Sequence, residues 1–220
     1  MTDDDIAVAY AYPESIPWVR GSMVMSLDGT TTGPDGSSRS IASPVDRRLF
    51  SKLRLRADVV LVGARTLRDE RYPPSLLPIA IVTESLRLRR DLPVFAERQP
   101  RSPRTLVYTT AGAAAAAPAW LHEHADIIGC GESRVDLRQV VAELTDRSLG
   151  HVHCEGGPRL LSSLLASDLV DELLVTVSPV IVGATGDQHL ADVLGGLESR
   201  WRFTDVFAED GTVFLRARRS

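Results

Sequence analysis

The chain has 220 residues, of which 44% are hydrophobic and 25% are charged, a balance that is typical of a globular protein and excludes a disordered or fibrous one. Its formal net charge of −4 and its scattered arginines argue against binding to nucleic acid or to a membrane surface, so we expect a small-molecule substrate. An acidic start, no apolar run of membrane-spanning length and only two cysteines predict a cytoplasmic protein without a disulfide framework.

The chain length suits one large domain. Residues 1–17 are acidic and are interrupted by Pro13 and Pro17, which predicts an arm that lies on the fold or is partly loose. Residues 18–220 are expected to form a single domain.

The first half of this domain alternates strand and helix patterns. A strand is predicted over residues 18–26, followed by a loop rich in glycine, serine and threonine over 29–40. A helix is predicted to begin with Ser43 as the capping residue and Pro44 in the first helical position. Its apolar face consists of Val45, Leu49, Phe50 and Leu53. Short apolar runs predict buried strands at 58–63, 79–83 and 105–109.

The second half continues this alternation. Residues 86–103 are rich in arginine and proline and predict a long surface loop. The next elements are a helix over 113–124, a short strand at 127–128, a helix whose apolar face is 137, 140, 141 and 144, a strand over 151–154, a helix over 159–166 and a long strand over 173–182. The pair Asp210 and Gly211 predicts a hairpin turn between strands at 203–208 and 212–217. The pattern therefore predicts an α/β fold with a mostly parallel central sheet and a C-terminal antiparallel hairpin.

Ligands of open α/β sheets bind at the carboxyl ends of strands, where two short loops of this chain carry polar residues. In the loop 26–29, Asp28 is a candidate for binding, and the alternative is a plain turn in which Asp28 bonds its own backbone. In the loop 63–66, Gly63 permits a close backbone approach, and Thr66 could meet a phosphate at a helix N-terminus. The alternative there is that Thr66 caps the helix.

A third loop, residues 155–160, is the strongest local pattern. Gly156 and Gly157 follow a strand, and Pro158 opens a helix, which leaves backbone N–H groups available for a pyrophosphate. The spacing is not the glycine fingerprint of the Rossmann fold, and a tight strand-to-helix turn is the alternative.

Other polar clusters predict structure rather than chemistry. His151, His153 and Cys154 lack a second ligand pair at zinc spacing, so no metal site is expected. Asp171 and Glu172 precede a buried strand and are interpreted as its structural entry.

Taken in order, six motifs resemble the reductase domain of the bifunctional riboflavin-biosynthesis deaminase-reductase and its stand-alone pyrimidine reductase relatives. The motifs are SLDG at 26–29, IASP at 41–44, AD at 57–58 followed by GART at 63–66, EGGP at 155–158, LVDEL at 169–173 and PVIVG at 179–183. The resemblance covers residue 18 to the C-terminus. It implies a three-layer α/β/α fold like that of dihydrofolate reductase. It also implies that NADPH is the hydride donor to the ribosylamino group of a pyrimidine intermediate of riboflavin biosynthesis, as in a 5-amino-6-(5-phosphoribosylamino)uracil reductase.

On the resemblance and the loop patterns together, Glu155 is the predicted catalytic residue. The predicted cofactor-binding residues are Met25, Ser40, Gly63, Thr66, Glu70, Ser85, Gly156, Gly157, Pro158, Arg159 and Leu160. The predicted substrate-binding residues are Asp28, Ser38 and Arg54. Arg65 or Arg87 is expected to pair with the 2′-phosphate of NADPH.

Two positions depart from the family pattern. Ser22 stands where relatives that make riboflavin usually carry a lysine, and residues 72–76 lack an expected arginine. The zinc deaminase motif is absent from the sequence. The alternatives of a pterin reductase and of a non-catalytic NADPH-binding protein therefore stay open. A homodimer that pairs near the strand predicted at 173–182 is also expected.

Overall fold

The computed structural model describes residues 6, 8–96, 102–183 and 198–220. In these ranges the strands are β1 (Trp18–Ser26), β2 (Val59–Gly63), β3 (Ile79–Val82), β4 (Thr105–Thr109), β5 (Ala125–Gly129), β6 (His151–Cys154), β7 (Glu172–Ser178), β8 (Trp201–Glu209) and β9 (Thr212–Arg219). The helices are α1 (Pro44–Arg54), α2 (Ala64–Glu70), α3 (Ala111–Ala115), α4 (Ala119–His124), α5 (Leu137–Asp146) and α6 (Pro158–Ala166). Short 3₁₀ turns occur at Ser38–Ser40 and Pro93–Phe95.

The nine described strands form one sheet in the order β5-β4-β3-β2-β6-β1-β7-β9-β8. All neighbours from β5 to β7 pair in parallel, whereas β9 pairs antiparallel with both β7 and β8. Asp210 and Gly211 both adopt positive φ, as the tight hairpin between β8 and β9 requires. The predicted mostly parallel sheet with a C-terminal antiparallel hairpin is confirmed.

Helices cover both faces of the sheet, so the fold has three layers. One face buries the leucine-rich sides of α5 and α6, including Leu144 and Leu164. The opposite face carries α1 and α2, which bury Leu49 and Leu67 among other apolar side chains. The cavity described below lies on this second face.

Helix α1 begins where the sequence predicts it. The Ser43 hydroxyl accepts a hydrogen bond of 3.1 Å from the backbone N–H of Asp46, and Pro44 occupies the first turn. Strand β1 ends at Ser26, as predicted, and is the direct neighbour of β6 in the sheet. Helix α1 packs on the sheet through Leu49 and Leu53, which cluster with Leu174 of β7 and Phe214 of β9.

Three sequence predictions need correction. The single helix predicted over 113–124 is two helices, because Pro118 starts a new N-cap instead of continuing α3. The strand predicted over 173–182 ends at Ser178, before Pro179, and β7 lies inside the sheet between β1 and β9, where its backbone has no free edge for a second copy. Residues 86–96 are not simply a surface loop.

That segment packs on the hydrophobic core through the buried side chains Leu88, Leu92, Val94 and Phe95. Arg87, Arg89 and Arg90, which favour the loop prediction, are exposed. Part of the predicted loop, 97–101, lies outside the described residues.

The described part of the N-terminal arm lies on the fold. Ile6 and Tyr10 are buried in the same apolar cluster as α1. The backbone oxygen of Ala9 accepts a hydrogen bond from Arg216, and that of Tyr10 accepts one from Arg20, at 2.5 and 3.0 Å. The division into an arm and one domain stays a prediction. None of the helices in the described ranges is long and apolar enough to cross a membrane.

Candidate active site

A cavity of about 430 Å³ lies between α1 and the carboxyl ends of the central strands. Residues of α1 that recur every three or four positions share one face of the helix, and this face forms one wall. Those residues are Asp46, Leu49, Phe50, Leu53 and Arg54. Across from them the lining includes Ser22 of β1, Glu155 after β6, Leu174 and Thr176 of β7, and Phe214 of β9. The helix and the sheet therefore enclose a pocket with one apolar region and several polar groups.

The centre of the polar region is the carboxylate of Glu155. Its side chain is fully buried and receives two hydrogen bonds from the Arg54 guanidinium, one of them 2.5 Å long. The Tyr72 hydroxyl donates a third, also 2.5 Å long. A two-pronged arginine contact fixes the orientation of a carboxylate as well as its position. Glu155 is therefore held rigidly at the wall of the cavity.

Glu155 shifts the pKa values of both of its partners, Arg54 and Tyr72. Burial, followed by the negative charge and hydrogen bond of Glu155, raises the pKa of Tyr72 well above its ordinary value, so Tyr72 stays protonated and donates. Burial alone would lower the pKa of Arg54, but the hydrogen bond and charge of Glu155 raise it above its ordinary value. The triad thus keeps a permanent guanidinium beside the carboxylate inside a partly desolvated pocket.

The glycine loop lies next to Glu155. Gly156 has φ +80°, and its carbonyl accepts a 2.8 Å hydrogen bond from the backbone N–H of Gly63, which ties the loop to β2. A Cβ at Gly157 would lie 2.5 Å from the Thr66 hydroxyl, so a larger residue there would have to displace that hydroxyl. The peptide bond between Gly156 and Gly157 is cis.

Two helix N-termini meet at this loop. Neither α2 nor α6 has a side-chain hydrogen bond at its N-cap, which is Gly63 in one and Gly157 in the other. The N–H groups of a first helical turn lack intrahelical partners, and the helix dipole favours anions there. Their position at the cavity wall, with Thr66 and Arg159, fits the pyrophosphate of a dinucleotide.

Buried hydroxyls provide a second sign that a polar ligand belongs in the cavity. Among the described residues, the Ser22 and Thr32 hydroxyl oxygens are buried without a hydrogen-bond partner, and both residues line the cavity. An unpartnered buried hydroxyl is costly unless water or a ligand completes its bonding.

A family model described as the RibD C-terminal domain matches residues 17–214, which is most of the chain. The chain belongs to the RibD C-terminal domain family. It is 30% identical over 185 residues to a 2,5-diamino-6-ribosylamino-4(3H)-pyrimidinone 5′-phosphate reductase of Methanothermobacter thermautotrophicus, covering 80% of this chain and 84% of that protein. It is 23% identical to the riboflavin biosynthesis protein RibD of Aquifex aeolicus, covering 91% of this chain but only 58% of that protein.

Solved structures agree on the fold. A pyrimidine reductase-like protein from Corynebacterium diphtheriae has a TM-score of 0.83 at 23% identity, covering 100% of this chain and 99% of that chain. Dihydrofolate reductase from Enterococcus faecalis has a TM-score of 0.53 at 10% identity, covering 93% and 97%. The predicted resemblance to the reductase domain and the predicted dihydrofolate-reductase-like fold are therefore both confirmed.

Most of the site residues predicted for this RibD C-terminal domain meet in the cavity. Those that line it are Ser38, Arg54, Gly63, Thr66, Glu70, Glu155, Gly157, Pro158, Arg159 and Leu160. Glu70 ends α2 and accepts hydrogen bonds of 2.8 and 2.7 Å from the backbone N–H and hydroxyl of Ser38. This contact closes the loop that follows β1 onto α2. The alternative role of Thr66 as a helix cap is wrong, because α2 already begins at Ala64.

The other predicted residues lie outside the cavity lining, namely Met25, Asp28, Ser40, Ser85 and Gly156. The Asp28 carboxylate is hydrogen-bonded to Ser26 and to the backbone N–H groups of Val182 and Gly183, and these bonds lower its pKa to about 2. The Ser40 hydroxyl donates to Asp35 at 2.6 Å. Their ligand-binding roles stay predictions.

Tyr72 and Asp46 are among the cavity residues that the sequence analysis does not identify. Tyr72 lies 83 positions from Glu155, and nothing in its local sequence indicates their contact. Asp46 did leave a signal, because it is an acidic residue on the apolar face of α1. A buried carboxylate at such a position is rare and could have been identified by that criterion.

Proposed function

We propose that this RibD C-terminal domain is an NADPH-dependent reductase that acts on a ribosylaminopyrimidine phosphate of riboflavin biosynthesis. The observation that carries the proposal is the Glu155 carboxylate, held by Arg54 and Tyr72 beside a glycine loop where two uncapped helix N-termini meet in one cavity. Relatives named as pyrimidinone phosphate reductases and as RibD support the same chemistry.

The proposed roles follow from the geometry. The backbone N–H groups of Gly157, Arg159 and Leu160 and the Thr66 hydroxyl hold the phosphates of NADPH. The nicotinamide, when bound, supplies the hydride that reduces C1′ of the opened ribose. Glu155 stabilises the positive charge that develops on the ribosylamino nitrogen, and Arg54 with Tyr72 prevents the carboxylate from turning away.

The preference for NADPH over NADH is part of this proposal. Arg65 follows the glycine that ends β2 and lines the cavity, whereas Arg87 lies outside the lining, so Arg65 is the stronger candidate for the 2′-phosphate. Arg65 also forms an exposed salt bridge of 3.4 Å with Asp69. A phosphate would compete with Asp69 for the Arg65 guanidinium. Equal dissociation constants for the two cofactors in calorimetric titration would exclude this preference.

A cytoplasmic homodimer is also proposed. One edge of the sheet formed by the described strands is β8, where Phe203 and Val206 are 62% and 61% exposed. An edge strand with exposed apolar side chains favours pairing with a second copy. A monomer mass by light scattering at micromolar concentration would contradict it.

The deciding experiment follows the absorbance of NADPH with purified protein. We expect oxidation of NADPH only when a ribosylaminopyrimidine 5′-phosphate is present, and none with dihydrofolate. The similarity to dihydrofolate reductase is one of fold and does not favour the pterin alternative. NADPH binding without turnover of any of these compounds would instead support the non-catalytic alternative.

A further inference from the structure

Asp46 is a cavity residue to which the proposed mechanism assigns no role. It lies in the first turn of α1 and is only 8% exposed, although acidic side chains are almost never buried without a partner. It lines the same cavity as Glu155. The carboxyl group therefore borders the space that a substrate would occupy.

The surroundings of Asp46 do not neutralise it as those of Glu155 do. Burial raises the pKa of Asp46, whereas a hydrogen bond from the Thr176 hydroxyl and the positive charge of Arg47 lower it. Within the described ranges, no lysine, arginine or histidine nitrogen forms a salt bridge with it. A buried carboxylate in this setting gains most from additional N–H donors.

Asp46 and Arg54 lie at opposite ends of the helix wall. They are eight positions apart on one face of α1, a separation of about 12 Å at the rise of an α-helix. Glu155 and the glycine loop are at the Arg54 end. Between the two ends the wall is apolar, with Leu49 and Phe50 on the helix and Leu174 and Phe214 on the sheet. A flat heterocycle suits the apolar part, with its polar edge towards Asp46.

We infer that Asp46 binds the edge of the pyrimidine that carries the ring N3–H and the 2-amino group, and so selects a 2-aminopyrimidinone over a uracil. The inference rests on the proposed function and names its substrate. A carboxylate has two acceptor oxygens and can accept both parallel N–H donors. In a uracil the 2-amino donor is replaced by a carbonyl oxygen, which faces the carboxylate as a second acceptor.

This selection distinguishes two substrates that appear in the names of related proteins. One is 2,5-diamino-6-ribosylamino-4(3H)-pyrimidinone 5′-phosphate, and the other is 5-amino-6-(5-phosphoribosylamino)uracil. A site built around a substrate N–H discriminates strongly against an analogue that lacks it, because its own polar group is then left unpaired. We therefore expect a preference of about a hundredfold in kcat/KM for the diaminopyrimidinone.

The test measures kcat/KM for both phosphates with wild-type protein and with Asp46→Asn. The amide can donate to the 2-carbonyl of the uracil, so the variant should lose at least about tenfold on the diaminopyrimidinone and gain on the uracil. Asp91→Asn is the matched control, since Asp91 is exposed, pairs with Arg89 and lies outside the cavity lining. It should keep the wild-type preference.

The outcomes separate the two proposals. Turnover of both phosphates at equal kcat/KM by the wild type, or an unchanged preference in Asp46→Asn, overturns the role of Asp46 and leaves the proposed function intact. If neither phosphate is reduced, the proposed function fails, and titration of each phosphate into the wild-type protein still tests the selection. Equal dissociation constants would then overturn it.

A pterin carries the same 2-amino edge, so dihydrofolate is a third arm of the assay. Reduction of dihydrofolate alone would overturn the proposed substrate while supporting recognition of the edge. A melting temperature for Asp46→Asn within a few degrees of the wild type is expected, because the amide removes a buried charge that forms no salt bridge with any described residue.

Discussion

Two buried glutamates lie on the same face of the sheet, each hydrogen-bonded to arginine, and their surroundings give them different roles. Glu172 begins β7 and is bonded by Arg20 and Arg216, with Arg218 at 3.2 Å. Glu155 follows β6 and is bonded by Arg54 and Tyr72. Both carboxylates are fully buried.

The difference lies in what surrounds the arginines. Arg20 is fully buried and Arg216 is 7% exposed, and the backbone of the N-terminal arm covers both. Arg54 is 31% exposed and borders the cavity. The glutamate–arginine pair at Glu172 therefore fixes the N-terminal arm to the sheet, whereas the pair at Glu155 remains accessible to a ligand.

The largest effect is expected on stability, in the cluster of Glu172, Arg20 and Arg216 that the N-terminal arm covers. Glu172→Gln leaves the buried Arg20 guanidinium without its counter-charge, so the free energy of unfolding should fall by about 3–5 kcal/mol. Denaturant titration measures this loss in the free energy of unfolding. Asp168→Asn is the control, because it removes an exposed partner of Arg219 and should cost less than about 1 kcal/mol. Equal losses in the two variants would contradict the structural role of Glu172.

In the cluster of Glu155, Arg54 and Tyr72, a substitution should lower activity and leave stability almost unchanged. Glu155→Gln is expected to lower turnover about a hundredfold, which corresponds to about 2.7 kcal/mol, because the carboxylate no longer stabilises the developing positive charge. Stability and NADPH affinity should change little, since water in the cavity can hydrate Arg54. If turnover survives while stability and cofactor binding fall, Glu155 is part of the scaffold.

The contrast between the clusters also shows what the sequence could predict. The sequence predicts a structural role for Glu172 because it precedes an apolar strand. The catalytic role of Glu155 is predicted by the family resemblance together with the glycine loop that follows it. The hydrogen-bond partners of each carboxylate are harder to predict from the sequence. Arg54 was placed at the substrate by family resemblance, whereas Tyr72 reaches Glu155 only because β2 and β6 are neighbours in the sheet.

Local patterns predicted the elements better than the contacts between them. The stretch 18–26 predicts β1, and the capping pattern of Ser43 and Pro44 predicts the start of α1, because each of these signals lies within a few residues. The burial of Leu88 and Phe95 depends on the distant strands that they cover. The arginine-rich residues between them therefore suggested a surface loop where the chain packs on the core.

His153 lies between the two clusters and should make stability depend on pH. Burial, followed by the positive charges of Arg20 and Arg54, lowers its pKa from 6.5 to about 3. Below pH 6.5 the unfolded chain therefore binds a proton that the folded chain does not, and stability falls as the pH falls towards 3. The contribution of His153 approaches about 1.4 kcal/mol per pH unit.

Unfolding titrations at pH 5.5 and 4.5 with His153→Gln isolate this contribution, because glutamine does not titrate. The variant should lose less stability than the wild type over that unit of pH. His122→Gln, at an exposed position in α4, should behave as the wild type does. Parallel pH profiles for wild type and His153→Gln would show that His153 is not held neutral.

The smallest effect is expected for Tyr72→Phe, which removes one of the hydrogen bonds to Glu155 and keeps the ring. The two bonds from Arg54 remain, so the carboxylate keeps its charge partner but loses part of its fixed orientation. We expect turnover to fall about fivefold, the size of one modest hydrogen bond, with the KM for NADPH unchanged. Tyr108→Phe is a matched control, since the Tyr108 hydroxyl also donates to a glutamate, Glu143 of α5, away from the cavity. It should lower stability and leave kcat unchanged. If both variants lose stability alone, Tyr72 supports the fold and does not position Glu155.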